Sequence, residues 1–465
     1  MKVCLLSFIL LFHLTFELKA QNADSNANCS KLHFQLCLID LPYYLDAVEA
    51  YNEKLAIYPA LSFATCPSMN QSLVLTTSLY SGIHYGITKL YKADCNRPMS
   101  FFSRIFYGLT ILSSDIILLT TPGFSGWLHE EFHRAVMTRF HVSSLNEMNY
   151  FPLFANSVSV SHVTDENLIR FKKESFADFN RMHVAGIEGE YLLVDQLQRN
   201  NFFFNHNLPH ESACLFSTFN SISYVRACAQ PDFADPETDS YNAVENLIED
   251  RDFTGLDFLG WAYDLFRPDE PYENRGTHIS GNGIDRYRKT THLLPEELDY
   301  LWVQGNLQWL NLISPMLFGY RRIAFPALGI YTNFALHHYL TSFGNDISLT
   351  LFVKRKDLNL IVTAHSYQNY LRSFPAIEAA VVQYPLNKFL ISARSLIGFQ
   401  PENQIFKTTN SSFAGLFDCR ILLKGKYNVN PYAEMCIKTN GWVAGNEFIS
   451  KNFSIRAGLD IKFKY

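Results

Sequence analysis

Apolar residues recur along this chain with two periods, and the period changes once. Up to about residue 315 they fall at three- and four-residue spacing, which predicts helices. Residues 101–121 form the most apolar of these stretches, with Phe102, Ile105, Phe106, Leu109, Leu112, Ile116, Ile117, Leu118 and Leu119. Arg104 and Asp115 interrupt the run. A membrane span tolerates such charges poorly unless they face protein, so a buried helix is expected there. Further helices are expected over 41–51, 75–90, 183–198, 244–265 and 295–313, and from about residue 127. Pro295, Glu296 and Glu297 mark a helix start. Residues 200–226, 231–240 and 268–292 read as loops and turns.

From about residue 316 the period becomes two. The last strand is the clearest: Phe453, Ile455, Ala457, Leu459, Ile461 and Phe463 share one face, with Ser454, Arg456, Asp460 and Lys462 on the other. Strands of about ten residues with one apolar face, joined by short turns, are the pattern of a transmembrane barrel. A soluble sheet packing its apolar face on helices would alternate in the same way. The aromatic C-terminus, Phe463 and Tyr465, resembles the terminal strand of bacterial outer-membrane proteins. The expected class is therefore α+β. A mostly helical domain over 101–315 precedes an antiparallel β-barrel of about eight strands over 316–465. A barrel of that size is filled by its own side chains, so it would anchor and not conduct.

The first twenty residues read as a secretory signal: Lys2, an apolar run over 3–16, and a cut after Ala20. Eight cysteines then remain: Cys29, Cys37, Cys66, Cys95, Cys214, Cys228, Cys419 and Cys436. An even count in an exported chain favours disulfides. Spacing suggests two bridges among the first four, then Cys214–Cys228 and Cys419–Cys436. Residues 21–100 thus read as a disulfide-pinned cover. The net charge of −5 argues against a nucleic-acid partner. Few charges (18%) with many aromatics (15%) suit a large core or contact with lipid.

The candidate chemistry lies at His129-Glu130-Glu131-Phe132-His133. On a helix, H-E-x-x-H places both imidazoles on one face, one turn apart. That pair can hold zinc, with Glu130 as general base toward water. The alternative is an amphipathic helix with two hydrogen-bonded histidines. Zinc needs a third protein donor, and the expected helix over 183–198 carries Glu188 and Glu190. Glu190 shares the apolar face with Gly186, Ile187, Leu193, Val194 and Leu197. A carboxylate there is costly unless paired or metal-bound, so Glu190 is preferred and Glu188 is the runner-up. Asp195 or His183 could orient the donors. The loop 276–287, with His278, Arg286 and Tyr287, is a candidate source of an electrophile.

His129, Glu130, His133 and the later helical glutamate together resemble the gluzincin pattern of zinc metallopeptidases. The resemblance covers about residues 100–200 and implies a zinc held by His129, His133 and Glu190. It also implies Glu130 as base and a peptide or protein as substrate. Val194 stands four residues beyond Glu190, where the pattern usually has an acidic residue. The combined expectation is an exported zinc-dependent peptidase in outer-membrane lipid, its metal domain on the periplasmic side. The alternatives are a non-catalytic barrel protein with a metal-stabilised domain, for binding or envelope architecture, and a multi-helix intramembrane protease.

Overall fold

A computed structural model describes residues 32–51, 65–93, 99–120, 124–148, 158–204 and 207–463. The expected signal segment, Cys29 and Cys95 lie outside the described residues. Strand β1 (Leu32–Leu41) leads to helices α1 (Tyr43–Ala50), α2 (Met69–Leu90), α3 (Phe101–Thr120) and α4 (Ser125–Arg139). A small sheet of β2 (Leu145–Met148) and β3 (Val158–Ser161) separates α4 from α5 (Asp165–Glu174) and α6 (Phe176–Phe204). Helices α7 (Glu211–Cys228), α8 (Pro231–Val244), α9 (Asp257–Phe266) and α10 (Pro295–Leu307) follow. The remaining strands are β4 (Ile323–Phe325), β5 (Ile330–Thr341), β6 (Gly344–Arg355), β7 (Leu358–Gln368), β8 (Ser373–Leu386), β9 (Phe389–Pro401), β10 (Ser411–Leu423), β11 (Val429–Lys438) and β12 (Asn452–Phe463). The chain is α+β, as its two periods predict.

The main sheet is antiparallel and runs β1-β12-β11-β10-β9-β8-β7-β6-β5-β4 among the described residues. It holds ten strands, more than the eight or so expected from 316–465. One of them, β1, comes from the segment expected to be a separate cover. It pairs with β12, Leu36 opposite Leu459. Helix α2 lies on it: Ser78 Oγ accepts from the Gln35 amide at 2.8 Å and donates to its carbonyl at 3.0 Å. Asp40 accepts from Ser68, the N-cap of α2, at 2.6 Å and from Arg456 of β12 at 3.0 Å. The cover is therefore an integral strand.

The polarity of the sheet is inverted relative to a soluble one. Cross-strand pairs Ile377–Ile397, Phe399–Phe413, Met435–Ile455 and Ile437–Phe453 are exposed, with Ile377 and Ile397 each at 56%. The opposite face is polar and buried: Thr350 pairs with Thr363, and Glu434 sits between Arg420 and Arg456. The sheet curls so that this polar face lines common cavities with Leu192, Asp195 and Arg199 of α6. The alternative of a soluble sheet with its apolar face on the helices does not describe this arrangement.

Helix α6 is buried on nearly every side. Arg181 Nη2 pairs with Glu188 Oε1 at 2.8 Å, two helical turns along. Arg181 also donates to the Asn446 carbonyl at 2.5 Å, and Glu188 accepts from the Gly445 amide at 2.7 Å and Trp442 Nε1 at 3.2 Å. The loop between β11 and β12 is thereby tied to α6. On the other side, a Cβ at Gly189 would stand 3.0 Å from the Phe132 ring, so glycine lets α4 close onto α6.

Several local expectations change. Helix α3 was expected to be buried, yet only 28% of its apolar window is, and it is long and apolar enough to cross a membrane. Phe102, Phe106, Leu109 and Ile117 are exposed, while Asp115 faces inward to His84 Nε2 at 2.6 Å and accepts from Ser212. Residues 231–240 are not a turn but part of α8, which starts on Pro231, where the missing amide proton costs nothing. The expected loop at 200–226 is largely α7. Cys214 and Cys228 both lie on α7, roughly 20 Å apart along its axis. Cys419 is opposite Met435, and Cys436 is opposite Asp418, so the two thiols are on opposite faces of the sheet. All six described cysteines are free, which corrects the disulfide expectation for them.

Two predictions follow from this packing. Alkylation in denaturant without reductant should label Cys214, Cys228, Cys419 and Cys436; a Cys214–Cys228 peptide found by mass spectrometry would contradict α7. Glu188→Ala leaves Arg181 buried without its carboxylate and should destabilise by about 3–5 kcal/mol, read as a lower denaturation midpoint.

Candidate metal centre

Helix α4 carries the motif, and its two imidazoles stack up one turn apart, ring centroids 4.9 Å from each other. They abut α6 at Gly186. A Cβ there would stand 2.3 Å from His129 Nε2 and 2.4 Å from His133 Nε2, so only glycine leaves the space between them open. The third group is Asp257, the first residue of α9. Its Oδ2 lies 3.2 Å from His129 Nε2 and 3.6 Å from His133 Nε2. The three donor atoms lie within 4.8 Å of one another. Two donors on one tetrahedral zinc stand about 3.3 Å apart, so the Asp257 distances bracket the value zinc requires. Two imidazoles and a carboxylate are a donor set that suits zinc.

The far sides of the imidazoles are fixed. His129 Nδ1 meets Glu190 Oε1 at 2.9 Å, and Glu190 Oε2 in turn accepts from Ser221 Oγ. His133 Nδ1 donates to the Met182 carbonyl at 2.5 Å. These contacts turn each Nε2 toward Asp257. His133 Nε2 is buried and has no hydrogen-bond partner, an orphan that a bound cation would satisfy. Asp257 is held by Tyr224, whose hydroxyl donates to Oδ2 at 3.1 Å and accepts the Asp257 amide at 3.2 Å.

The electrostatics follow from burial and mutual contact. Burial alone would lift the Asp257 pKa, but His133 and His129 outweigh it and hold it low. Burial disfavours a charge on His129, but its bonds to Asp257 and Glu190 raise its pKa well above the ordinary value. Glu130 makes no such bond. Burial pushes its carboxyl up to about 7, with His129 and His133 pulling the other way. It lines a cavity of about 490 Å³ together with His129, Glu190, Tyr224 and Asp257.

Set against the sequence expectations, His129, Glu130 and His133 come together as anticipated. Glu190 does face the motif, but on the Nδ1 side of His129, and Asp257 is the third member of the cluster whose atoms could hold a metal ion. Glu188 points away into the β11–β12 loop. His183 bonds Asp264 at 3.1 Å, behind Phe253, and Asp195 pairs with Arg199 at 2.7 Å in the lumen of the sheet. His278 does not line the cavity; its Nδ1 bonds Ser280 Oγ at 2.9 Å. Arg286 of the same loop locks Asp165 at 2.8 Å, while Tyr287 reaches Glu245 at the cavity edge. Asp257 and Tyr224 are the residues that sequence reasoning missed. The available signal was an acid opening an apolar ten-residue helix, which reads equally well as a helix start. No protein-family model, curated protein or solved structure matches the chain.

Proposed function

We propose that the chain is an exported zinc-dependent peptidase seated in a bacterial outer membrane by its ten-stranded sheet. The observation that carries the catalytic half is the convergence of His129 Nε2, His133 Nε2 and Asp257 Oδ2 beside an unbonded Glu130, on the wall of an open cavity. When bound there, zinc supplies Lewis acidity and lowers the pKa of water. His129, His133 and Asp257 would hold it, and Glu190, Tyr224 and the Met182 carbonyl keep those donors aimed. Glu130 accepts the proton of the attacking water and delivers it to the leaving amine. Its carboxylate makes no hydrogen bond and lines the cavity, which leaves it free to exchange a proton there.

The membrane half is supported by the exposed apolar face of the sheet and its buried polar face, the order a lipid-embedded sheet requires. Tyr384 and Phe389 flank the β8–β9 turn and Phe463 ends the last strand, all exposed, which suits the interface with water. The apolar run over residues 3–16 behind Lys2 is what supports export in this reading.

Four outcomes test these assignments. The purified parent should carry about one zinc, as metal analysis would show, and Gly186→Ala should lose it while circular dichroism stays unchanged. Asp257→Ala should also lose zinc, whereas Glu190→Gln should only weaken binding, by about 10–100-fold; the reverse order would restore Glu190 as the donor. Glu130→Gln should abolish peptide turnover with zinc retained. Zinc binding without turnover in the parent would favour the non-catalytic, metal-stabilised reading. The chain should stay in the membrane fraction through a carbonate wash, and recovery in the supernatant would overturn the membrane seat.

A further inference from the structure

Among the described residues, the cavity before the donor cluster is lined by six carboxylates and by no lysine or arginine: Glu130, Glu190, Glu237, Glu245, Asp252 and Asp257. A divalent ion would offset two of those charges. Three buried carboxylates elsewhere in the helical part have lysine or arginine partners. Glu131 pairs with Arg134 at 2.6 Å, Asp165 with Arg286 at 2.8 Å, and Asp264 with Lys172 at 2.8 Å and Arg275 at 2.6 Å. Glu237 and Glu245 meet neutral donors instead. The Tyr241 hydroxyl stands 3.1 Å from Glu237, and Glu245 accepts from the Tyr287 hydroxyl and, at 3.2 Å, from the Asp252 amide.

These residues are arranged as a wall. Phe233, Glu237, Tyr241 and Glu245 recur every four residues along α8 and its C-cap, so they share one face, and all four line the cavity. Across the cavity stand Asn220, Ser223 and Tyr224 of α7. Aromatic rings alternating with carboxylates suit a side chain that is apolar along its stem and cationic at its tip. Lysine and arginine are the residues built that way. An independent sign that this cavity awaits a ligand is Glu130. It is 8% exposed, makes no hydrogen bond, and points into the same space.

We propose that the α8 wall, through Glu237, Tyr241 and Glu245, is a subsite that selects lysine or arginine side chains of a peptide laid across the donor cluster. The fate of that peptide rests on the peptidase reading; its binding does not.

The test uses the full chain in zwitterionic detergent, carrying Glu130→Gln so that bound peptide persists. Three fluorescein-labelled nonapeptides of alanine and glycine would differ only at two positions, filled by lysine, glutamine or glutamate. Anisotropy titrations should show the lysine peptide binding at least about tenfold tighter than the glutamine one, with the glutamate peptide weakest. The preference should shrink as salt rises. Glu237→Gln with Glu245→Gln should erase it, while Glu237→Gln alone, at a half-exposed position, reduces it without risk to the fold. Equal affinity for all three peptides, or a preference that survives the double variant in a folded chain, would overturn the subsite. Parallel turnover assays with Glu130 intact separate the two ideas. Charge-selective binding without cleavage would sink the peptidase reading and leave the subsite standing. Cleavage without charge preference would do the opposite.

Discussion

Everything in this molecule leans on α6, because a helix buried on both sides must satisfy its polar groups in two directions at once. Toward α4 it presents Gly186 and Gly189, which let the motif helix close in, and Glu190, which turns His129. Toward the sheet and its last loop it presents Arg181, Glu188, Asp195 and Arg199. The Arg181–Glu188 pair is dry, and a dry ion pair is tolerable only when its remaining hydrogen-bonding capacity is filled. Here the filling comes from Trp442, Val443, Gly445 and Asn446, more than two hundred residues away in the chain. The geometry of the candidate donors and the seating of the sheet on α6 are thus two ends of one set of contacts.

That coupling explains the inside-out sheet. A polar interior needs polar contents, and α6 supplies them where an ordinary sheet would meet an apolar helix face. Arg199 and Asp195 lie among Glu378, Arg394, Asp346 and His365. With the polar face consumed by the helix, the apolar residues are left on the outside. Their exposure would be a standing cost in water, of about 25 cal/mol for each Å², and is no cost in hydrocarbon. The same logic applies to α3, whose one buried charge, Asp115, is turned inward to His84 and Ser212 while its outer stripe stays apolar.

Much of this was legible in the sequence, and the failures have a common cause. Period-two alternation from about residue 316 announced an antiparallel sheet, and the burial of β12 alternates as its sequence does. The H-E-x-x-H spacing placed His129, Glu130 and His133 correctly because one helix sets all three. The cost of burying Glu190 pointed to a partner for it, and the structure supplies one in His129. What stayed hidden depends on contacts between distant segments. Glu190 and Asp257 are both acids on apolar helices, and only the packing of α9 against α6 decides which of them reaches the Nε2 side. Strand β1 lies beside β12 although the two stand at opposite ends of the chain, and nothing in a local pattern announces such a partner. The cysteine pairing failed because parity of the count was weighed without the helix that separates Cys214 from Cys228.

The boundary drawn near residue 316 marks a change of period and not a physical joint. Cutting there would strip α6 of the loop that neutralises Arg181 and Glu188, and would expose a polar helix face evolved to meet polar strands. A helical fragment over 101–315 would also lose β1, the strand on which α2 lies, and with it the support behind Ser68 and Asp40. The motif, the third donor and the cavity all sit within that fragment, yet the helix that aligns them is held from outside it. A donor cluster embedded in this way depends on the sheet for the alignment of its helix. The acidic cavity therefore keeps a fixed position relative to the sheet, because α6 is packed between the two.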